Sequence, residues 1–160
     1  MVLKPADLGT LVGSARVIVH GRVVSLRAQS SDRTRIETLV TLNVTDYFKG
    51  DLGPEVTFVV PGGTLGRYRT VVSGAPQLAE GDEVVLFLGT RGPALPYLIR
   101  LGEGVFRVQR DARTGQRLVN RHPVIAESST WQRVARGTPA SPLSVGDFGA
   151  MVRRLAGAPR

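Results

Sequence analysis

From Ile36 to Phe48, apolar or small side chains fall at every second position: Ile36, Thr38, Val40, Leu42, Val44 and Phe48, with Asp46 the one break. Arg35, Glu37, Thr41, Asn43 and Thr45 fall between them. A repeat of two puts the first set on one face of a β-strand and the second on the other, so the stretch is a strand with one buried and one wet face. Its length is the constraint. Residues 34–48 span roughly 45–50 Å when extended, whereas a compact domain of 160 residues has a radius of gyration near ~15 Å and a diameter of about 40 Å. The strand must coil, break at a bulge or leave the body as an arm, and coiling is how small barrels close.

Turn chemistry over residues 49–54 (KGDLGP) returns the chain to a second alternation, Val56, Phe58 and Val60, which stops at Pro61-Gly62-Gly63. Residues 34–60 are therefore expected as a barrel wall. Ahead of them, residues 16–26 are rich in β-branched side chains and carry Gly21, which marks a bulge, a bend or a close backbone approach. His20 beside it is expected as a packed or solvated side chain. The polar segment 27–33 is expected as a turn, and residues 6–15 as a short helix, with Leu8, Leu11, Val12 and Ala15 on one face, covering an end of the sheet. Residues 62–76 hold four glycines around Val71-Val72 and are expected as a long loop with at most one edge strand. The continuous run 83–88 suits a strand buried on both faces. Short strands follow over 97–101, 105–110 and 116–120, separated by turns, which suits a barrel or sandwich.

The C-terminal part divides in two. Residues 121–143 are polar and expected as an irregular strap anchored by Trp131, the single tryptophan. Ser144 then caps a helix over 144–157, with Asp147 in its first turn, Leu143 able to staple to Phe148, and Val145, Phe148, Met151, Val152 and Leu155 in one stripe. The expected architecture is one mainly β domain, 1–160, in which 6–120 form a small closed or partly open barrel with a short N-terminal helix and a C-terminal amphipathic helix.

No cysteine is present, which excludes disulfides, thiolate metal sites and a cysteine nucleophile. No apolar run reaches the ~18 residues of a membrane span. The formal charge is +8, and all of the excess lies in the second part: residues 1–90 balance nine basic against nine acidic side chains, whereas 91–160 hold twelve arginines against four acids. Such an excess speaks first to solubility and non-specific association. The chemistry of an enzyme is not in view. The histidines, His20 and His122, are a hundred residues apart, no nucleophile elbow or zinc-protease motif occurs, and the glycines of 62–76 lack the lysine and hydroxyl of a phosphate loop. Asp46, Glu55 and Glu83 are expected to be solvated at turns or strand ends. Asn43-Val44-Thr45 matches a glycosylation acceptor within a strand and is read as chance. No cofactor and no metal are expected.

The patterns VIVHGRVVSL, IETLVTLNVTDYFKG, VTFVVPGG and LAEGDEVVLFL resemble a domain of exported bacterial proteins over about residues 6–110. That domain in turn resembles the netrin and tissue-inhibitor-of-metalloproteinase group, a variant of the oligonucleotide/oligosaccharide-binding (OB) barrel. The shared marks are the Gly21 bend, the Lys49-Gly50 turn and the Gly81 turn. The resemblance implies a barrel and a place outside the cytoplasm, periplasmic or secreted. The animal inhibitors depend on an N-terminal cysteine that this chain lacks. The expected function is a non-catalytic interaction module that binds a protein or polymer. Its candidate contacts are Pro61, Gly62, Gly63, Arg67, Tyr68 and Arg69 in the loop and Arg107 and Arg110 in the basic part. The alternatives are single-stranded nucleic-acid binding, for which aromatic platforms are scarce, and a peptidase inhibitor or pro-domain.

Overall fold

The structure is a computed structural model that describes residues 8–32, 35–121 and 143–157. The expected strap and Trp131 lie outside the described residues, apart from the strap's two ends. The elements are α1 (Leu8–Ser14), β1 (Val17–Asp32), β2 (Arg35–Lys49), β3 (Glu55–Pro61), β4 (Gly63–Leu65), β5 (Tyr68–Thr70), β6 (Glu83–Gly89) and β7 (Tyr97–Leu98). A 3-10 turn at Leu101–Gly104, β8 (Val105–Arg110), β9 (Arg117–Arg121), β10 (Leu143–Ser144) and α2 (Val145–Gly157) complete them.

Among the described residues, five strands join in the order β1-β2-β3-β7-β6, and β6 pairs back onto β1 to close a ring. The fold is mainly β with a helix at each end, as expected. The strands β8, β9 and β10 extend the sheet outward from β6. All pairings are antiparallel except β3 with β7, which meet in parallel at Val59 and Tyr97.

The closure rests on the first part of β1. Between Ile18 and Arg22 this strand pairs with β2 on one side and β6 on the other, so Gly21 lies opposite both Val44 and Val84. The register against β2 slips between His20 and Gly21. A side chain at Gly21 would collide with the Asn43 carbonyl and come within 2.9 Å of Leu42 Cγ. Glycine is thus required by a close backbone approach, one of the roles expected of it.

Residues 27–32 are strand rather than turn. They continue β1 against β2, with Arg27 opposite Leu39, Ala28 opposite Thr38 and Gln29 opposite Glu37. The polar composition reflects exposure. The Gln29 amide donates to Glu37 Oε1 at 2.9 Å, a cross-strand pair of the kind that stabilises a wet sheet surface. The length of β2 is accommodated by register slips and by a β1–β2 ribbon that runs on past the end of β6.

Alternation sorts the core into two layers. Val84, Leu86 and Leu88 of β6 point into the ring with Val19, Leu42 and Phe58. Val85 and Phe87 point out to the helices, packing with Leu11, Ile18, Phe106, Phe148 and Val152. β6 is buried on both faces, as its apolar run implies. Phe58 and Phe87 are fully buried, and each such side chain stabilises by about 1.5–3 kcal/mol.

Ser144 Oγ accepts the Asp147 N–H at 3.1 Å and caps α2. The helix docks through Phe148, Gly149 and Val152. A Cβ at Gly149 would lie 2.7 Å from the Phe48 ring, so the glycine sets how closely helix and β2 approach. Leu143 and Leu155 stay 38% and 39% exposed, so the docking stripe is narrower than the sequence suggests. The strand expected over 97–101 stops at Leu98, because Arg100 and Leu101 take left-handed backbone angles, both with φ 52°, and start the 3-10 turn.

Candidate binding site at the mouth of the ring

Beyond Pro61 the chain folds back across the inner face of the β1–β2 ribbon. Gly62 (φ 94°) donates its N–H to the Ile36 carbonyl at 2.9 Å, and Thr38 Oγ1 donates to the Gly62 carbonyl at 2.8 Å. A Cβ at Gly63 (φ 145°) would sit 2.6 Å from Thr38 Oγ1. The two glycines supply the backbone angle and the clearance needed for this return.

Where a long loop with at most one edge strand is expected, residues 63–70 form a small hairpin of two strands. Gly63, Thr64 and Leu65 pair with Thr70, Arg69 and Tyr68 in turn. The connection is Gly66-Arg67, and Gly66 (φ 62°) supplies the positive angle needed at the first position of a two-residue hairpin turn. Val71, of the apolar pair Val71-Val72, lies outside both strands and is 74% exposed. Mutual pairing satisfies the backbone of an otherwise exposed segment, which apolar periodicity alone does not reveal.

Between this hairpin and the ring lies a cavity of about 350 Å3, at the small end of ligand sites. Leu26, Val40 and Val60 form its floor, where the ring interior opens. The hairpin roofs it, and residues 75–78 make the far rim. Arg69 is the charged side chain among the lining residues. Among the described residues it has no hydrogen-bond or ion-pair partner.

Of the residues expected from sequence, Pro61, Gly62, Gly63 and Arg69 line the cavity. Arg67 and Tyr68 lie at the hairpin turn outside the lining. Tyr68 is 70% exposed, and together with Leu65 and Val71 it makes the hairpin an exposed apolar surface. Arg107, a candidate contact in the basic part, is engaged within the chain. Its Nη1 pairs with Asp82 Oδ2 at 3.0 Å and its Nη2 donates to the Gln77 carbonyl, so it braces the far rim. Arg110 is exposed on the β8–β9 hairpin, is absent from the lining, and reaches only the Gly115 carbonyl, at 3.5 Å. Among the described residues, no arginine of the basic second part lines the cavity. Leu26, Val40, Ala75 and Leu78 were not expected at a site. The signal in Leu26 is its place at the end of an apolar run, next to a segment whose polar composition suggests a turn.

A second group of ionisable residues lies where the outer sheet begins. His20 is buried, as one of its expected states, but Glu83 is not solvated: it is 12% exposed between His20 and Arg117, with Arg117 Nη1 at 3.3 Å. Alternation along β1 puts His20 on the outer face opposite Val85 of β6, one repeat from Glu83, and β9 supplies the arginine. Burial holds the His20 imidazole below its ordinary pKa and outweighs the opposing pull of Glu83. Asp46 and Glu55 are exposed as expected. No group of three or more metal-ligating side chains occurs among the described residues, and no helix among them is long and apolar enough to cross a membrane. No protein-family model matches the sequence, and comparison with curated proteins gives no match.

Proposed function

We propose that the domain is a non-catalytic interaction module, acting outside the cytoplasm, that binds a protein or polymer at the mouth of the ring through the β4–β5 hairpin and the cavity beneath it. The carrying observation is Arg69, whose side chain has no partner among the described residues and which lines a cavity with an apolar floor, on a segment that also exposes Tyr68, Leu65 and Val71. Arginine and aromatic side chains around an apolar pocket are the usual anchors of interfaces, and exposed apolar patches of this kind mark interaction sites. The lining offers hydroxyls, an amide and one guanidinium, and His20 and Glu83 stand apart from it. A five-stranded ring supports an OB-like barrel. The likeness of the strand patterns to exported bacterial domains supports the location.

The test is recovery of partners from the native envelope fraction by the wild type and by an Arg67→Ala/Arg69→Ala variant. Both positions are exposed, so the variant is expected to keep its fold within about 0.5 kcal/mol and to lose its partners. Equal recovery by the two proteins overturns the role of the hairpin. A second reading, single-stranded nucleic acid, is favoured only by Tyr68 standing between Arg67 and Arg69, a stacking surface flanked by charge. Binding of a labelled strand that falls steeply with salt and is indifferent to Tyr68→Ala reports charge alone.

A further inference from the structure

The mouth of the ring also contains an unfinished strand edge. β6 accompanies β1 only as far as Arg22, and the loop after β5 adds two bonds, Val23 N–H to the Asp82 carbonyl and Gly81 N–H to the Val23 carbonyl, both 2.8 Å. From Ser25 onward β1 has a paired neighbour on one side only.

The register shows which residues are affected. On β2, Ile36 and Val44 bond toward the β3 side, to Gly62 and Pro54, so the even-numbered residues of this regular stretch face β3 and the odd-numbered ones face β1. Thr41, Leu39 and Glu37 lie opposite Ser25, Arg27 and Gln29. Leu26 and Ala28 therefore turn their N–H and C=O groups to the open side, where no hydrogen bond is recorded among the described residues. Leu26 lines the cavity, and Ala28 lies on the same face, close to Gly63. Arg27, on the opposite face, is exposed and has no partner among the described residues.

We infer that the partner is an extended polypeptide segment that adds as a strand to the Leu26–Ala28 edge of β1, with apolar side chains toward the cavity and acidic side chains on the outer face, toward Arg27. This rests on the proposed binding role of the ring mouth and specifies its occupant. The backbone decides the class of partner. Donors and acceptors repeating every second residue, about 6.8 Å apart, are matched by another strand, not by a sugar–phosphate chain or a glycan. Side chains on the inner face of the added strand continue the row of Leu26 and meet the apolar floor. Arg27, exposed on the outer face and without a partner among the described residues, favours acidic residues at the outward positions of that segment.

The probe is a fluorescein-labelled heptapeptide alternating valine and glutamate, followed by anisotropy against the full-length protein. Saturable binding is expected. Methylating the valine amides blocks antiparallel addition, and methylating the glutamate amides blocks parallel addition, so one methylated peptide should bind at least about tenfold more weakly and the other should retain affinity. Ala28→Pro removes an N–H that faces the open side, a position where an edge strand tolerates proline, and should weaken the unmethylated peptide similarly at an unchanged far-ultraviolet spectrum. If that variant does not fold, the methylated peptides still decide on the wild type. No saturable binding, or equal binding of both methylated peptides, overturns strand addition. A wild-type dimer that becomes a monomer in Ala28→Pro also overturns it, placing a second copy on the edge. If strand addition fails while recovery of native partners still depends on Arg67 and Arg69, the hairpin role survives.

Discussion

His20 Nε2 lies 3.6 Å from Glu83 Oε2 with the two side chains 5% and 12% exposed, and no hydrogen bond joins them. Burial of an imidazole whose Nε2 has no hydrogen-bond partner among the described residues favours the neutral form. Its folded pKa lies below the unfolded value of 6.5, chiefly through burial. The unfolded chain therefore takes up the proton first as pH falls. Stability is unaffected by this group above the unfolded pKa and declines as pH drops below 6.5 toward the folded value. Urea midpoints should fall between pH 7.5 and 5, and His20→Leu should flatten that part of the profile. A His20→Leu profile as steep as the wild type's would show that other groups control it.

Gly21→Ala is expected to destabilise by about 2–3 kcal/mol, because the added methyl meets the Asn43 backbone and Leu42 where two strands flank β1 and the neighbours cannot retreat. The measurement is equilibrium urea unfolding. A change within experimental error would mean the approach at Gly21 is looser than described.

Thr38→Val keeps the shape of the side chain and removes the hydroxyl that donates to the Gly62 carbonyl. A cost of about 1 kcal/mol is expected, with faster amide exchange across residues 62–70. Uniformly faster exchange across all strands would indicate global destabilisation instead of a loosened hairpin.

Arg107 and Arg110 should separate. Arg107→Ala breaks the bond to Asp82, whose other contact, the Ala79 N–H at 2.9 Å, orders the same rim. Because both partners are partly exposed, the loss is expected at about 1 kcal/mol. Arg110→Ala should stay within about 0.5 kcal/mol. Thermal unfolding of the two variants compares them directly, and equal shifts would contradict the bracing role.

The sequence carried the architecture further than the site. The alternation of Ile36 to Phe48, the both-faces burial of β6 and the Ser144 cap each depend on local periodicity or on one hydrogen bond a few residues away. The extension of β1 through Gln29 and Ser30 depends on pairing with β2, and a polar strand on a wet surface has the composition of a turn. The hairpin was hidden for the same reason: Thr64, Arg69 and Tyr68 pair with little apolar alternation to announce it. Arg69 and the three residues at the end of β3 could be singled out because loops on rigid scaffolds carry binding. Leu26 and Val40 could not, since an apolar residue at the rim of a barrel has the same sequence pattern as one at its centre. The bracing role of Arg107 depends on Asp82 and Gln77, brought near by folding alone.

The pairing of Val17 with Leu88 has a consequence for the order in which the protein can be made. The first wall of the ring and its closing neighbour are far apart in the chain, so a nascent chain that has not reached β6 can form the β1–β2–β3 meander and the β4–β5 hairpin but not the ring, which leaves Leu42, Val56 and Phe58 without β6 to cover them. Contacts that span a long stretch of chain form late, and an apolar sheet left open during synthesis invites pairing with other chains. The domain is thus most vulnerable just before residue 83 leaves the ribosome, and a chain ending there is expected to pellet while one that runs on through α2, which covers the outer face of β6, stays in solution.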